Sequence, residues 1–203
     1  MPSLRLGLFG GTFDPPHFGH LLVAQEVAEW LSLDRLLFLV AGLPPHKLGD
    51  VLSPPPIRVE MARAAVAENP LFGVSEVELD REGPTYTVDT LRHVRTAHSD
   101  AELFFLLGAD QLAEFHEWQE SEGIAGLATL VAVGRDGMDP DHLSPVDLGS
   151  GKELKFMSLD VTRVDISSSE IRARVRDGRS IRYLVPEAVR RIIETHRLYR
   201  SIS

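Results

Sequence analysis

The sequence contains no cysteine, which excludes a disulfide framework and any thiolate metal site and fits a reducing compartment. No apolar run approaches the roughly 20 residues that a bilayer-spanning helix needs. The apolar start, Leu4 to Phe9, is short and leads straight into two glycines, so it reads as a buried strand rather than a secretory signal. Positive charge is in deficit: 21 Lys plus Arg stand against 30 Asp plus Glu, a net charge of −9, which argues against broad nucleic-acid binding. There is no repeat and no low-complexity segment. The Gly-x-Gly-x-x-Gly fingerprint and the P-loop's Gly-Lys-Ser or Gly-Lys-Thr are both missing, which sets aside the two most familiar nucleotide-binding turns.

What is present is an ordinary globular composition. With 203 residues and 43% hydrophobic content, the chain can bury a sizeable core as one domain over 1–203, with a small helical part from about residue 167. Arg5 to Phe9 and Leu36 to Val40 read as buried strands either side of a helix from about Phe18 to Leu31. Gly42 to Pro56, with five prolines and two glycines, is a loop. A helix from Ile57 to about Glu68, a strand-like run Phe72 to Leu79, and a helix from Thr87 to about Thr96 follow. Leu103 to Leu107 is a strongly apolar strand. The segment to about Glu122 reads as helical, Ala128 to Val133 as a strand, and Gly134 to Gly151 as a loop. Leu154 to Phe156 and Val161 to Ile166 read as short strands, Ser167 to about Arg176 as a helix, and the stretch after Pro186 as another. Strands alternating with helices predict an α/β fold with a mostly parallel sheet, whose ligands bind beyond the carboxyl ends of the strands. From Arg163 to Arg200 ten arginines face five acidic residues; composition alone favours a solvated face there over a phosphate site.

Two strings carry chemistry. Gly10 to His20 reads Gly-Gly-Thr-Phe-Asp-Pro-Pro-His-Phe-Gly-His. Glycines at a strand end let the backbone approach a ligand, and the helix that follows offers unpaired N–H groups to an anion. His17 and His20, three apart, share one face of the helix start. Zinc binding is the weaker reading of that pair, since no third ligand is evident and the glycine turn would go unexplained. The second string, Ile166 to Arg172, reads Ile-Ser-Ser-Ser-Glu-Ile-Arg. Ser167 and Glu170 have capping-box spacing, which by itself is a sufficient structural account. Arg172, one turn in, can reach a phosphate.

The first string resembles the signature of the nucleotidyltransferases that carry a His-x-Gly-His motif, and the second resembles their Ile-Ser-Ser-Thr-x-Ile-Arg, with Ser169 for threonine. The resemblance implies a Rossmann-like parallel sheet flanked by helices, of nucleotidyltransferase type. It places the triphosphate on Gly10, Gly11, Thr12 and Phe13, with His17 and His20 stabilising transition-state charge and Ile166, Ser168 and Arg172 also on ATP. Four further segments narrow it: Pro44 to Lys47, Gly83 to Leu91, Phe104 to Trp118, and Ser180 to Pro186. Together they look like the bacterial nicotinate-nucleotide adenylyltransferase family over nearly the whole chain. That implies transfer of AMP from ATP to nicotinic acid mononucleotide, in the cytoplasm, with Mg²⁺ carried mainly by ATP and no dedicated metal site. Nucleic acid and membrane are not implied as partners, and assembly of like chains stays open.

Each added residue has a physical use beside a plainer reading. Lys47 offers a mobile cation or is a solvated loop lysine. Trp118 offers a flat face to a cationic ring or packs in the core. Thr85 and Tyr86 lie in a turn whose N–H groups can accept a carboxylate, or simply start a helix. Gly108 ends a strand beside Asp110, which can hold a ribose hydroxyl or cap the next helix. Arg135 matches the family's arginine, though Arg-Asp-Gly stands where Arg-Pro-Gly is frequent. The residues leave acid and amide acceptors both open. The rival readings are a phosphopantetheine-type adenylyltransferase, a non-catalytic nucleotide sensor, and a nucleic-acid module supported only by the Arg-rich tail.

Overall fold

The computed structural model describes residues 3–200 except 43–52, 80, 82, 109–110, 113, 135–145, 148–152 and 155. Strands β1 (Arg5–Gly11), β2 (Arg35–Val40), β3 (Phe72–Ser75), β4 (Glu102–Gly108) and β5 (Thr129–Gly134) alternate with helices α1 (Phe18–Trp30), α2 (Pro55–Val66), α3 (Thr87–Ala97) and α4 (Ser121–Leu127). Two-residue strands β6 (Val146–Asp147) and β7 (Glu153–Leu154) come next, then β8 (Met157–Asp160), α5 (Ser168–Arg176) and α6 (Glu187–Thr195). Six strands form one sheet in the order β3-β2-β1-β4-β5-β8, every pair parallel. The order reverses between β1 and β4, and that switch point opens a crevice at the strands' carboxyl ends.

Helices cover both faces of such a sheet, so its strands are apolar on both sides. On β4, Leu103, Phe105 and Leu107 join one core with Leu6 and Leu8. Its alternate residues Phe104 and Leu106 join the other, with Phe13, Val27 and Phe38. A third cluster sits apart from the sheet, where Met61 of α2 meets Ile171, Val185, Val189 and Ile193. The C-terminal helices are thereby docked onto α2. The phosphate-side segment is tied to them directly, by the Phe18 N–H donating to the Leu184 carbonyl (3.1 Å). No helix among the described residues is long and apolar enough to cross a membrane.

Several sequence expectations are corrected. The described residues from Gln111 to Glu122 do not form one helix. A 3₁₀ turn, Phe115–Glu117, is followed by an extended Trp118, and α4 begins only after Glu120, in the left-handed region (φ 52°). Arg92 grips the Glu120 carboxylate there (2.5 Å), and Phe115 is fully buried. The run Phe72 to Leu79 is a strand only to Ser75; the Leu79 N–H turns back onto the Glu76 carbonyl (2.8 Å). Val161 to Ile166 is not a strand. The sixth strand lies earlier, at Met157–Asp160, and the Thr162 N–H donates to the Glu26 side chain instead (2.7 Å). Glu153–Leu154 pairs antiparallel with Val146–Asp147, so the expected loop contains a short strand.

Candidate active site

A cavity of about 1310 Å³ opens at the carboxyl ends of β1, β2, β4 and β5. Ligand pockets usually run to roughly 300–1,000 Å³, so this one has room for two substrates. Gly10, Gly11 and Thr12 line it from the end of β1, and Gly108 from the end of β4. His17 and His20 enter from the start of α1; Ile166, Ser168 and Arg172 come from the start of α5 and the residue preceding its cap. Thr85, Tyr86 and Trp118 line it as well. The fold therefore brings together motifs at opposite ends of the chain. Phe13 is the exception: its ring is 2% exposed and lies behind the wall, edge-on to His20 (centroids 5.1 Å apart). Lys47, Asp110 and Arg135 lie outside the described residues.

Local structure explains the histidine pair. His17 is extended (φ −145°) and caps α1, following two prolines that cannot donate to a helix. Its N–H donates to Nδ1 of His20 (3.2 Å). An imidazole nitrogen that accepts is unprotonated, so neutral His20 carries its proton on Nε2. The two rings stack with centroids 3.7 Å apart. Gly19 makes this possible, since a Cβ there would sit 3.0 Å from His17 Nδ1. That same Nδ1 is buried without a hydrogen-bond partner among the described residues, and so is the Thr85 hydroxyl. Two orphaned polar atoms in one cavity wall are sites where a ligand would repay desolvation.

Burial holds the pKa of His17 down, from 6.5 to about 4, so it is neutral at pH 7. The folded value lies below the unfolded one. The stability this gives is complete above pH 6.5 and is lost as pH falls through 4, about 3 kcal/mol in all. Urea unfolding at pH 7 and pH 4 should show this loss in the wild type. The loss should shrink by a comparable amount in His17→Asn, which has no group to titrate there.

Ser167 caps α5 as its spacing suggests, accepting from the Glu170 N–H (3.2 Å). Ser168 Oγ donates to the Pro15 carbonyl (2.8 Å) and Arg172 Nη1 to the Asp14 carbonyl (2.8 Å). These bonds fasten the second motif to the first. A guanidinium has five N–H donors, so Arg172 keeps capacity for a ligand.

Sequence reasoning missed the residues that hold this wall from behind. Arg58 is 1% exposed and donates to four carbonyls: Ser53 (3.0 Å), Thr12 (3.1 Å), Ala41 (2.5 Å) and Gly42 (2.9 Å). Burial lowers its pKa, and the charges of Asp14 and Glu78 offset this in part. Glu78 in turn accepts from the Gly42 N–H (3.3 Å) and the Thr90 hydroxyl (2.9 Å). The Gly42 peptide is thus held at both ends, and a Cβ on it would lie 2.7 Å from the Glu78 carbonyl. Nothing in local sequence marks Arg58 or Glu78. Asp14 stood inside the first motif with no role assigned.

Comparison with known proteins agrees with this architecture. The Cytidylyltransferase-like family matches residues 8–174. A probable nicotinate-nucleotide adenylyltransferase of Thermus thermophilus is 51% identical over 97% of this chain and 100% of its own length. One from Thermomicrobium roseum is 44% identical over 98% of this chain and 92% of its own. The Plasmodium falciparum nicotinic acid mononucleotide adenylyltransferase complexed with NaAD has a TM-score of 0.77, covering 97% of this chain and 98% of that one. At 18% identity it speaks for the fold alone. The extent of the first two matches, with both motifs gathered on one cavity, means that the chain belongs to the nicotinate-nucleotide adenylyltransferase family.

Proposed function

We propose that the chain transfers AMP from ATP to nicotinic acid mononucleotide, releasing pyrophosphate and giving deamido-NAD, a step of NAD biosynthesis. The observation that carries this is one cavity lined by two chemically different groups of residues. Gly10, His17, His20, Ser168 and Arg172 suit phosphates, and Thr85, Tyr86 and Trp118 line the same cavity.

The acceptor's phosphate is already an anion at neutral pH, so the reaction needs no general base. Its oxygen attacks the α-phosphorus of ATP in line; the bond to the bridging oxygen breaks, and pyrophosphate leaves with the electron pair. The protein's contribution is alignment and charge stabilisation. The β1 turn with its glycines receives the phosphates. His20 donates from Nε2, neutral His17 donates one hydrogen bond, and Arg172 adds fixed positive charge, with Lys47 assigned the same work. Gly11, Thr12, Gly108, Asp110, Ile166 and Ser168 complete the ATP side, and Phe13 supports it from behind. Trp118 packs against Phe115 (centroids 5.4 Å apart), which steadies a flat face for the pyridine ring. The backbone N–H groups at Thr85 and Tyr86 receive the acceptor's carboxylate, and Arg135 is assigned to the same substrate.

Mg²⁺ enters as part of the ATP substrate. Among the described residues no group of three or more His, Asp or Glu is arranged to hold a metal ion. The donors on the ATP side, imidazoles, a hydroxyl and a guanidinium, suit phosphate oxygens. An ion that keeps most of its waters and binds phosphates fits that arrangement.

The test is pyrophosphate release from Mg²⁺ and ATP, with nicotinic acid mononucleotide and its amide run side by side. The acid should be preferred by at least about tenfold, roughly 1.4 kcal/mol. Equal rates would keep the reaction and remove the carboxylate role of Thr85 and Tyr86. No release with either acceptor would sink the reading.

A further inference from the structure

Asp14 takes no part in the mechanism above, yet it is 1% exposed and ionisable. Two distant segments satisfy it. Its Oδ2 accepts from the Ser53 N–H (3.0 Å). Its Oδ1 accepts from the Tyr199 hydroxyl (2.6 Å), 185 positions away. Hydrogen bonds to a buried carboxylate are short and strong, and removing one leaves a charge exposed to a low-dielectric surrounding. Tyr199 reaches this place with a left-handed backbone (φ 61°), a conformation that bulky residues rarely adopt. Burial first, and the Asp14 carboxylate second, push the phenol's pKa far up, so it stays a donor at every working pH.

What Asp14 holds is the run that presents the imidazoles. On one side lies Phe13, also left-handed (φ 50°), its ring against His20. On the other lie Pro15 and Pro16, whose rings fix φ, and then His17. Such a run is stiff, so a shift of Asp14 moves both histidines instead of being absorbed between them. The geometry points to Tyr199 as a positioning residue for adenylyl transfer, acting through Asp14 to fix the segment from Phe13 to His20 against the ATP triphosphate. This rests on the assignment of His17 and His20 to the triphosphate.

Tyr199→Phe keeps the ring and removes the hydroxyl, which donates to Asp14 and also bonds the Ser53 side chain. Its KM for ATP should rise about tenfold, and the Kd of a non-hydrolysable ATP analogue should rise equally, each about 1.4 kcal/mol. The KM for nicotinic acid mononucleotide should stay within about twofold. A merely structural role, which inactivates a fraction of the molecules, would lower kcat and leave both KM values in place. In an Asp14→Asn background the same change should add nothing further, because the effect passes through that carboxylate. Asp14→Asn alone gives the same readout if Tyr199→Phe melts early. Analogue binding requires no acceptor, so it reports on Tyr199 even if the acceptor is another molecule. Unchanged ATP KM and analogue affinity in Tyr199→Phe would overturn the proposal, as would effects of the two substitutions that multiply.

Discussion

His20→Ala should lower turnover by ~10²–10³-fold, the loss typical of removing one preorganised donor from a developing charge. The reason lies in how the ring is held. Its Nδ1 is occupied by the His17 N–H, which fixes Nε2 as the proton-bearing nitrogen, and Phe9 and Phe13 meet the ring edge-on. A donor oriented in advance loses little freedom when the transition state forms. The fold should survive: the substitution takes from the His17 N–H its partner, a loss of about 1 kcal/mol, and from Phe9, Phe13 and His17 a ring contact, while the two cores on either face of the sheet keep their packing. Steady-state pyrophosphate release and far-ultraviolet circular dichroism check the two halves. Near-normal turnover with an intact spectrum would remove His20 from the chemistry.

Arg58→Met should reduce stability by about 3–5 kcal/mol, the range for breaking a buried charged network. Methionine fills much of the space but donates nothing, leaving the carbonyls of Thr12, Ala41, Gly42 and Ser53 without their donor. Arg58→Lys should recover little, since an ammonium has three donors around one point and cannot span four carbonyls on three loop segments. Equilibrium urea unfolding measures both. A loss under about 1 kcal/mol in Arg58→Met would mean that water satisfies those carbonyls as well as the guanidinium does.

The frame was legible because β1, β2, β4 and β5 are near-continuous apolar runs, three of them closed by glycine, the pattern of a sheet covered on both faces. The two motifs were legible because each confines its chemistry to eleven residues or fewer. Other features were not. Met157–Asp160 alternates too briefly to stand out as a strand, while Val161 to Ile166 has a strand's composition and is spent lining the cavity. Glu120 breaks a helical pattern through its backbone, held by Arg92 across 28 positions. Arg58, Asp14 and Tyr199 each act through partners that only the fold brings near. A buried arginine also runs against the expectation that charged residues face water.

The position of β1 has a consequence for synthesis. It leaves the ribosome first among the strands, and β2 can join it within a few dozen residues. Its other neighbour, β4, lies 97 positions further on, as the Arg5–Glu102 contact measures. At translation rates on the order of ten residues per second, the growing chain carries an open strand edge for several seconds. That edge is apolar and bears the glycines of the phosphate turn. A chaperone that shields extended apolar segments would find its binding site there, and nascent chains halted before residue 102 should be the most prone to aggregate.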